Sequence, residues 1–381
     1  MQFSIQRNAL VAAMATAVRV VERRNTIPIL SNALLTIEAG ALRIKATDLD
    51  IETTITAACE AVETEGAITV PAAMFHDIAK KLPDGATIRC NLDAEAGTLT
   101  LQSWRSRFKL QTLPASDFPD IAAGEFSHRF ALTGRDLGRL IAKSEFAIST
   151  EETRYYLNGI YLHVADVEGE EMLTAVATDG HRLARIRTPS PNGASGMPGI
   201  IVPRKAVAEL ARLAKEADKG EMTIEVSEAK IRVTTGGTVF TSKLIDGTFP
   251  EYSRVIPAGN DKRAVLDADE FARAVDRVSA ITSERGKAVK LTFDAGLLEL
   301  DVNDPDSGAA HDEIEITPTQ DFTLQIGFNA SYVATIVATL AVERIALSLG
   351  DPGAPSIWEE AREDGDATQP NALYVLMPMR V

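Results

Sequence analysis

The sequence is poor in cysteine, with only Cys59 and Cys90 among its 381 residues. Both lie in strand-like text, and neither has a partner at the spacing of metal ligands. Cysteines in this setting are usually buried thiols, so we favour that interpretation over a disulfide between them. Because structural disulfides are a feature of oxidising compartments, we predict a cytoplasmic protein.

The second half of the chain also lacks a long apolar run. Its most apolar stretch, residues 332–342, is too short for a membrane span, because a helix needs about 20 residues to cross a bilayer. Residues 9–18 resemble the core of a signal peptide, but the strand-like FSIQ precedes them and Arg19, Arg23 and Arg24 follow at once. We therefore expect neither a membrane span nor a cleaved leader.

Positive charge is in deficit, since 39 Lys and Arg face 54 Asp and Glu, a net charge of −15. This balance argues against a protein that coats itself in nucleic acid, but it allows a basic surface within an acidic whole. A Gly-rich phosphate loop, a nucleophile elbow and a His, Cys and Asp cluster at ligand spacing are all missing. We predict no catalytic residues, no metal and no cofactor.

The chain does contain a repeat. EAGALRI (38–44), EAGTLTL (95–101) and DAGLLEL (294–300) each place a turn glycine before an alternating strand. Gly40 and Gly296 lie 256 residues apart, which is two units of 128 residues. The spacing predicts three units, each made of two similar halves.

Six segments of the sequence read as a strand followed by an amphipathic helix: residues 3–21, 70–85, 130–149, 202–220, 265–284 and 328–341. Asn8, Thr133 and Asp267 stand near three helix starts, where short polar side chains cap free amides. We predict an α+β protein of three repeated domains, 1–124, 125–257 and 258–381. Each domain has two helices on one side and antiparallel sheets on the other.

The helix predicted over residues 202–220 has a basic outer face. Val207 and Leu210 lie on one side at helical spacing, and Lys205, Arg212 and Lys215 lie on the other. Such a face is usually just solvated, and the acidic first helix of the third unit breaks the trend. The repeat, however, could place all six helices on one face of the chain.

The chain ends in an apolar stretch, LYVLMPMRV, with Pro378 between Met377 and Met379. It could be a last strand, a membrane tag or a surface that another molecule binds. Because proline cannot donate to a strand ladder, we expect the strand to end near Pro378 and the following residues to be free to line a cleft.

The repeat and several long motifs closely resemble the β subunits of bacterial DNA polymerase III, the sliding-clamp family, from residue 1 to 381. The motifs are TIPILSNALL (26–35), SRFKLQTLPASDFP (106–119), RYYLNGI (154–160), ATDGHRLA (177–184), VPRK (202–205), SKLIDGTFPEY (242–252), IGFNASYV (326–333) and YVLMPMR (374–380). The resemblance implies the DNA-clamp fold and a non-catalytic, head-to-tail homodimeric ring around duplex DNA. In such a ring the helices line the hole, the sheets form the outer wall, and binding is topological rather than sequence-specific.

The resemblance also implies a cleft for short peptides of the clamp loader and of replicative and repair DNA polymerases. Its residues here are Arg154, Tyr156, Leu157, Thr178, Gly180, His181, Arg182, Leu183, Pro250, Val255, Tyr332, Val375, Met377, Pro378, Met379 and Arg380. Methionine is flexible and polarizable, which suits one pocket that serves several partners.

For DNA, the matching family positions are Arg24, Tyr155 and Tyr156, to which the basic helix face adds Lys205, Arg212 and Lys215. Two positions depart from the family, because Ala73 stands where a basic residue is usual and Glu151 where a neutral amide is usual. Direct DNA contact at those two points is not expected. For the tyrosines, plain core packing is the alternative.

For ring assembly, the resemblance sets a basic strand of the first domain against an acidic segment of the third. The residues are Arg105, Arg107, Phe108, Leu110, Ile281, Asp304, Asp306 and Asp312. The alternative is a charged strand edge that only prevents aggregation.

Two other functions stay open on sequence alone. The first is an enzyme of the phosphotransferase type using His181 with Asp179, against which a packed wall histidine is favoured. The second is a monomeric repeat scaffold that binds proteins only. The acidic stretch 359–371 has no assigned purpose.

Overall fold

The structure, a computed structural model, describes residues 1–22, 26–121, 124–281, 288–294, 296–305, 307–318, 321–362 and 371–381. Within these ranges each of six α-helices directly follows a strand: α1 Arg7–Val20, α2 Ala72–Lys81, α3 Gly134–Ala142, α4 Arg204–Ala217, α5 Ala268–Ser279 and α6 Ala330–Leu340. The six predicted strand–helix segments are therefore confirmed. None of these helices combines the length and apolar composition that a membrane crossing requires.

The strands in the first part of the chain are β1 Gln2–Gln6, β2 Asn32–Glu38, β3 Ala41–Thr47, β4 Ile51–Ala58, β5 Ala61–Thr64, β6 Gly66–Pro71, β7 Thr87–Asp93, β8 Thr98–Ser103 and β9 Ser106–Gln111. Those of the middle part are β10 His128–Thr133, β11 Gly159–Val167, β12 Glu170–Thr178, β13 Arg182–Pro189, β14 Ile200–Pro203, β15 Glu221–Val226, β16 Lys230–Thr235 and β17 Thr238–Lys243. The last part contributes β18 Lys262–Asp267, β19 Ala288–Asp294, β20 Leu297–Asp304, β21 Gly308–Glu315, β22 Thr317–Pro318, β23 Thr323–Asn329, β24 Arg344–Leu349, β25 Ser356–Glu360 and β26 Ala372–Leu376.

The first of two compact units comprises residues 1–134 and 216–244. It holds a five-stranded sheet in the order β5-β1-β7-β8-β9 and an eight-stranded sheet in the order β10-β15-β16-β17-β4-β3-β2-β6. Helix α1 packs on α2 and on β3 and β4. Leu10, Met14 and Phe75 are fully buried, as the apolar faces of the two helices require.

The second unit comprises residues 135–215 and 245–381. Its nine-stranded sheet has the order β14-β11-β12-β13-β26-β25-β24-β18-β22, and its four-stranded sheet has the order β21-β20-β19-β23. Helices α5 and α6 pack on each other, and the buried Trp358 contacts the rings of Phe271 and Phe328, with centroids 5.9 and 5.7 Å away.

Both large sheets run across the predicted domain boundaries. In the first unit β17 pairs with β4, and in the second unit β26 pairs with β13 on one side and β25 on the other. The strand pairings therefore join neighbouring repeats edge to edge. This is why the packing divides into two units although the sequence repeat is threefold.

The three turn predictions and the cap predicted at Asp267 are confirmed, whereas the cap predicted at Asn8 is not. Gly40, Gly97 and Gly296 all lie in antiparallel hairpins at positive φ, as the repeat predicts. The Asp267 carboxylate accepts a hydrogen bond from the Glu270 amide and caps α5. The cap predicted at Asn8 is wrong, because α1 already begins at Arg7 and the Asn8 side chain accepts from that arginine instead.

Candidate functional site

The C-terminal tail is anchored at both ends, within the second unit. Strand β26 ends at Leu376, and the Met377 amide donates to the His181 carbonyl at 2.9 Å. Two residues on, the Met379 amide donates to the Gly327 carbonyl at 2.8 Å. The strand ends close to where Pro378 predicts, but the expectation of a free tail is wrong, because backbone hydrogen bonds hold it on both sides of the proline.

Gly327 makes this close approach possible. A Cβ at this position would lie 2.7 Å from the Met379 carbonyl oxygen and 2.2 Å from a Val381 side-chain carbon. Contacts this short do not occur between real side chains and backbone, so any larger residue would push the tail away.

The turn beside the tail, residues 178–182, is organised by Asp179. Its carboxylate accepts hydrogen bonds from the His181 and Arg182 amides at 2.9 and 3.0 Å and from the Arg182 Nε at 3.0 Å. Gly180 supplies the positive φ of +88° that the turn needs. Because the carboxylate is occupied in shaping this turn, it is not placed to act as a base for the exposed His181.

Beneath the turn lies an apolar floor. Leu157, Val176, Leu183, Ile201, Phe249, Leu373 and Val375 form one buried cluster, each at most 8% exposed. Tyr156, Tyr252 and Ile256 pack against it and are partly exposed. Three predicted cleft residues, Leu157, Leu183 and Val375, are therefore floor residues, with Tyr156 at the edge.

Two of the predicted cleft residues are arginines that pair with acidic residues of this unit. The Arg182 guanidinium lies 4.3 Å from the Tyr332 ring centre and 5.1 Å from that of Phe146, which fixes it by cation–π contacts. Arg154 pairs with Glu151 at 3.3 Å, so the unusual Glu151 partly neutralises a predicted cleft residue. We call the surface made by residues 154–157, 178–183, 250–255, Tyr332 and 375–380 the C-terminal groove. It includes the exposed Val255 and Met379.

One segment that lines the groove is held by an aromatic stack that sequence reasoning missed. The rings of Tyr161 and Phe249 stack at 4.8 Å, and Tyr161 stacks on His163 at 4.7 Å. His163 Nε2 lies 3.0 Å from the Tyr252 hydroxyl, within hydrogen-bonding distance. The signal in the sequence was the spacing of Tyr161 and His163, two residues apart on one face of a strand.

His163 should make folding pH-dependent. Burial lowers its pKa below the ordinary 6.5, Arg187 acts in the same direction, and a hydrogen bond to the Val164 carbonyl opposes them. The unfolded chain takes up a proton near pH 6.5 while the folded chain resists it, so stability is lost as pH falls below that value. We expect His163→Gln, which can still bond Tyr252, to lose less melting temperature between pH 7.5 and 5.5 than the unchanged chain.

His181→Gln is the matched control for this prediction, because His181 is exposed and lies in the same unit. It should keep the pH dependence of the unchanged chain. Parallel melting curves for the unchanged chain and the His163 variant would contradict the assignment to His163.

The basic helix face is only partly as expected. On α4, Val207, Leu210 and Leu213 are buried and Lys205 and Lys215 are exposed. Arg212, however, donates from Nε to the Glu209 carboxylate at 2.9 Å, and its side chain is 19% exposed. Its charge is already balanced, which the spacing of apolar residues could not reveal.

The two tyrosines predicted to contact DNA differ in their exposure to solvent. Tyr155 is 53% exposed, whereas Tyr156 packs on the floor of the groove. Arg24 lies outside the described residues. Ala73 lies in the first turn of α2 and is partly exposed.

Four of the residues predicted for ring assembly, Arg107, Phe108, Leu110 and Asp312, lie on strands at two sheet edges. Strand β9 is the last strand of the five-stranded sheet, and β21 is the last strand of the four-stranded sheet. On β9, Arg107 and Lys109 are exposed, while Phe108 and Leu110 point the other way. On β21, the exposed residues with ionisable side chains are His311, Glu313 and Glu315.

Several of the assembly predictions need correction. Leu110 is 3% exposed and Asp304 is 2% exposed, so neither side chain is available at a surface. Asp312 accepts from Arg277 Nε at 2.7 Å within the same chain. Asp306 lies outside the described residues, and Ile281 is partly exposed just beyond α5. The exposed acidic charge of β21 therefore comes from Glu313 and Glu315.

Among the described residues, no group of three or more His, Cys, Asp or Glu side chains is arranged to hold a metal ion. The described cysteines are free thiols, with Cys90 fully buried and Cys59 partly buried. Burial raises the pKa of both thiols.

Three family models match the chain from end to end. They are described as the N-terminal, central and C-terminal domains of the DNA polymerase III beta subunit, and they match residues 1–122, 131–251 and 253–380. Similar curated proteins include the beta sliding clamps of Caulobacter vibrioides, 45% identical over 381 residues, and of Escherichia coli K12, 36% identical over 383 residues. Both alignments cover 100% of this chain and 100% of the relative.

Solved structures agree with these matches. A sliding clamp from Bartonella birtlesii bound to griselimycin superposes with a TM-score of 0.92 at 47% identity. The DNA polymerase sliding clamp of Caulobacter crescentus superposes with a TM-score of 0.93 at 44% identity. Each superposition covers 100% of both chains.

Proposed function

Because this chain belongs to the DNA polymerase III β subunit family and acts as a DNA sliding clamp, we propose that the C-terminal groove is where its partners' peptides dock. Proteins of this family form a dimeric ring on DNA, tether polymerases and have no catalytic site. The phosphotransferase and monomeric-scaffold hypotheses are therefore set aside.

The observation that carries the proposal is an apolar floor in the same unit as the methionine-containing tail and the exposed Arg380. Leu157, Leu183 and Val375 supply the floor, and the tail that carries Met377 and Met379 is hydrogen-bonded to His181 and Gly327. Such a surface favours a short peptide with bulky apolar side chains, because their burial drives binding. The exposed Arg380 favours a partner with polar or acidic flanks, whereas the charge of Arg182 is already balanced by Asp179.

The predicted DNA residues also remain a proposal. We infer that the exposed Lys205 and Lys215 of α4 and the exposed Tyr155 face the duplex, with Arg24 as a further contact carried over from the family. Arg212 contributes less, because Glu209 balances its charge. Phosphate contacts of this kind are independent of base sequence, as a sliding ring requires.

Replacing Lys205 and Lys215 together by Ala should shorten retention of preassembled rings on nicked circular DNA and flatten its salt dependence. Each phosphate contact that is lost removes about 0.9 from the slope of log K against log[salt] on duplex DNA. Retention of the rings on circular DNA as a function of salt measures this slope. Linearising the DNA then tests the topological tether, because rings should slide off the free ends.

Arg212→Ala is the control for this pair, and its effect on the slope should be the smaller one. An unchanged slope in the Lys205 and Lys215 variant would place this helix face in bulk solvent. Rings that stay on linearised DNA would instead argue against a topological tether.

We further propose that ring closure sets strand β9 of one chain beside strand β21 of another. The exposed face of β9 carries Arg107 and Lys109, and that of β21 carries Glu313 and Glu315. Unpaired strand edges can continue a sheet, and unlike charges favour the correct partner edge.

The domain boundaries 1–124, 125–257 and 258–381 and a cytoplasmic location are also part of the proposed function. The family matches to 1–122, 131–251 and 253–380 support the boundaries.

A further inference from the structure

Trp104 occupies the tip of a tight hairpin in a strained conformation. Ser103 pairs with Ser106, which leaves Trp104 and Arg105 as a two-residue loop between β8 and β9. The φ of Trp104 is +52°, in the left-handed region. Hairpin loops of this length favour Gly, Asn or Asp at positive φ, and a bulky side chain there is an outlier.

The indole of Trp104 is also almost completely in solvent, at 89% exposure. It is the most exposed of the large hydrophobic side chains described for this chain. In the isolated chain, neither the strained backbone nor the exposed indole stabilises the fold. Outliers of this kind cluster where a partner makes use of them.

The surroundings of Trp104 identify the partner. The loop opens directly into β9, an edge strand whose exposed face carries Arg107 and Lys109, with Arg105 exposed in the loop itself. The matching acidic edge on this same protein is β21, with exposed Glu313 and Glu315. An aromatic residue beside charged residues of one sign is typical of an interface anchor, because Trp and Arg dominate binding energy.

We propose that Trp104 anchors ring closure by burying its indole against the edge strand β21 of a second copy of this chain. This inference rests on the proposed pairing of β9 with β21. Within that pairing, the charged face selects the partner edge and Trp104 supplies the apolar contact. A side chain of this kind buries about 150–250 Å² when it is covered.

The chain offers a direct optical test, because it has only two tryptophans and Trp358 is fully buried. Changes in tryptophan fluorescence on dilution therefore report on Trp104. As the full-length chain dissociates, its emission should shift to the red and acrylamide quenching should increase. Sedimentation velocity on the same samples gives the dimer fraction. In Trp104→Phe both fluorescence changes should disappear.

Trp104→Gly tests the energetics without risking the fold, because glycine adopts φ +52° without strain. Its dimer dissociation constant should rise about 30-fold, which corresponds to an interface hot spot of about 2 kcal/mol. Its melting temperature under monomeric conditions should not fall. The exposed Met74→Ala, on helix α2 of the same unit, is the control and should leave dimerisation unchanged.

The outcomes separate this inference from the function on which it rests. A chain that dimerises while Trp104 stays open to quencher, or a Trp104→Gly chain that dimerises normally, overturns the anchor and leaves the ring intact. A chain that stays monomeric at all accessible concentrations overturns both.

Discussion

Deleting residues 377–381 should lower the affinity for polymerase-type peptides about a hundredfold or more and leave the chain a folded dimer. The deletion removes Met377 and Met379, each worth about 1.5–3 kcal/mol when buried against a peptide Leu or Phe. Fluorescence anisotropy with a labelled peptide that has a leading Gln and a Leu-Phe end measures the loss. Sizing of the same sample reports on assembly.

The fold should survive the deletion because strand β26 ends at Leu376, and Tyr374 and Val375 are almost fully buried within its sheet. Two backbone hydrogen bonds, to His181 and Gly327, are lost, at about 0.5–1.5 kcal/mol each. Removal of Val381 alone is the control, since it keeps both methionines. If the chain lacking 377–381 binds the peptide at full affinity, the tail is only a strand end and the partner site lies elsewhere.

Reversing the charge of Arg105 and Arg107 together should weaken the dimer at least tenfold at low salt. Both side chains are exposed beside an open strand edge, and reversal would set them against Glu313 and Glu315 of the partner edge. Like charges brought together at an interface are strongly unfavourable. The defect should shrink at high salt, because the screening length falls to about 3 Å at 1 M.

Sedimentation equilibrium of the double variant at low and high salt measures this effect. Arg89→Glu is the control, because Arg89 is exposed on β7, an inner strand of the same sheet. It should leave the dimer intact. A double variant with a normal, salt-independent dimer would mean that this charge pairing does not close the ring.

The sequence predicted the elements well because each one has its own local signal. The turn glycines at 40, 97 and 296 fix three hairpins, and apolar spacing fixes six helices. The alternation in β26 and the proline at 378 likewise predicted the last strand of the chain. The resemblance to a known family then predicted the C-terminal groove, of which the structure brings Leu157, Leu183 and Val375 into one buried cluster.

The sequence could not predict which side chains are covered or paired by residues from elsewhere in the fold. The family resemblance assigned Leu110 and Asp304 to an interface, but it does not show which side chains the rest of the chain covers, and both are buried. Arg212 was expected to be available, yet Glu209 one turn away balances its charge. The spacing of Tyr161 and His163 indicates that their rings share one strand face, but it does not reveal Phe249, which lies far away in the chain and completes the stack.

The position of β26 also governs when the molecule becomes competent. Residues 372–376 come after both β13 and β25 in the chain, yet they lie between these two strands in the middle of a nine-stranded sheet. Until they are in place, β13 and β25 have no shared hydrogen bonds and the sheet exists as two separate edges. Exposed edges of this kind are prone to pair wrongly. The tail beside the groove and the closed sheet therefore take shape together, when β26 enters between β13 and β25.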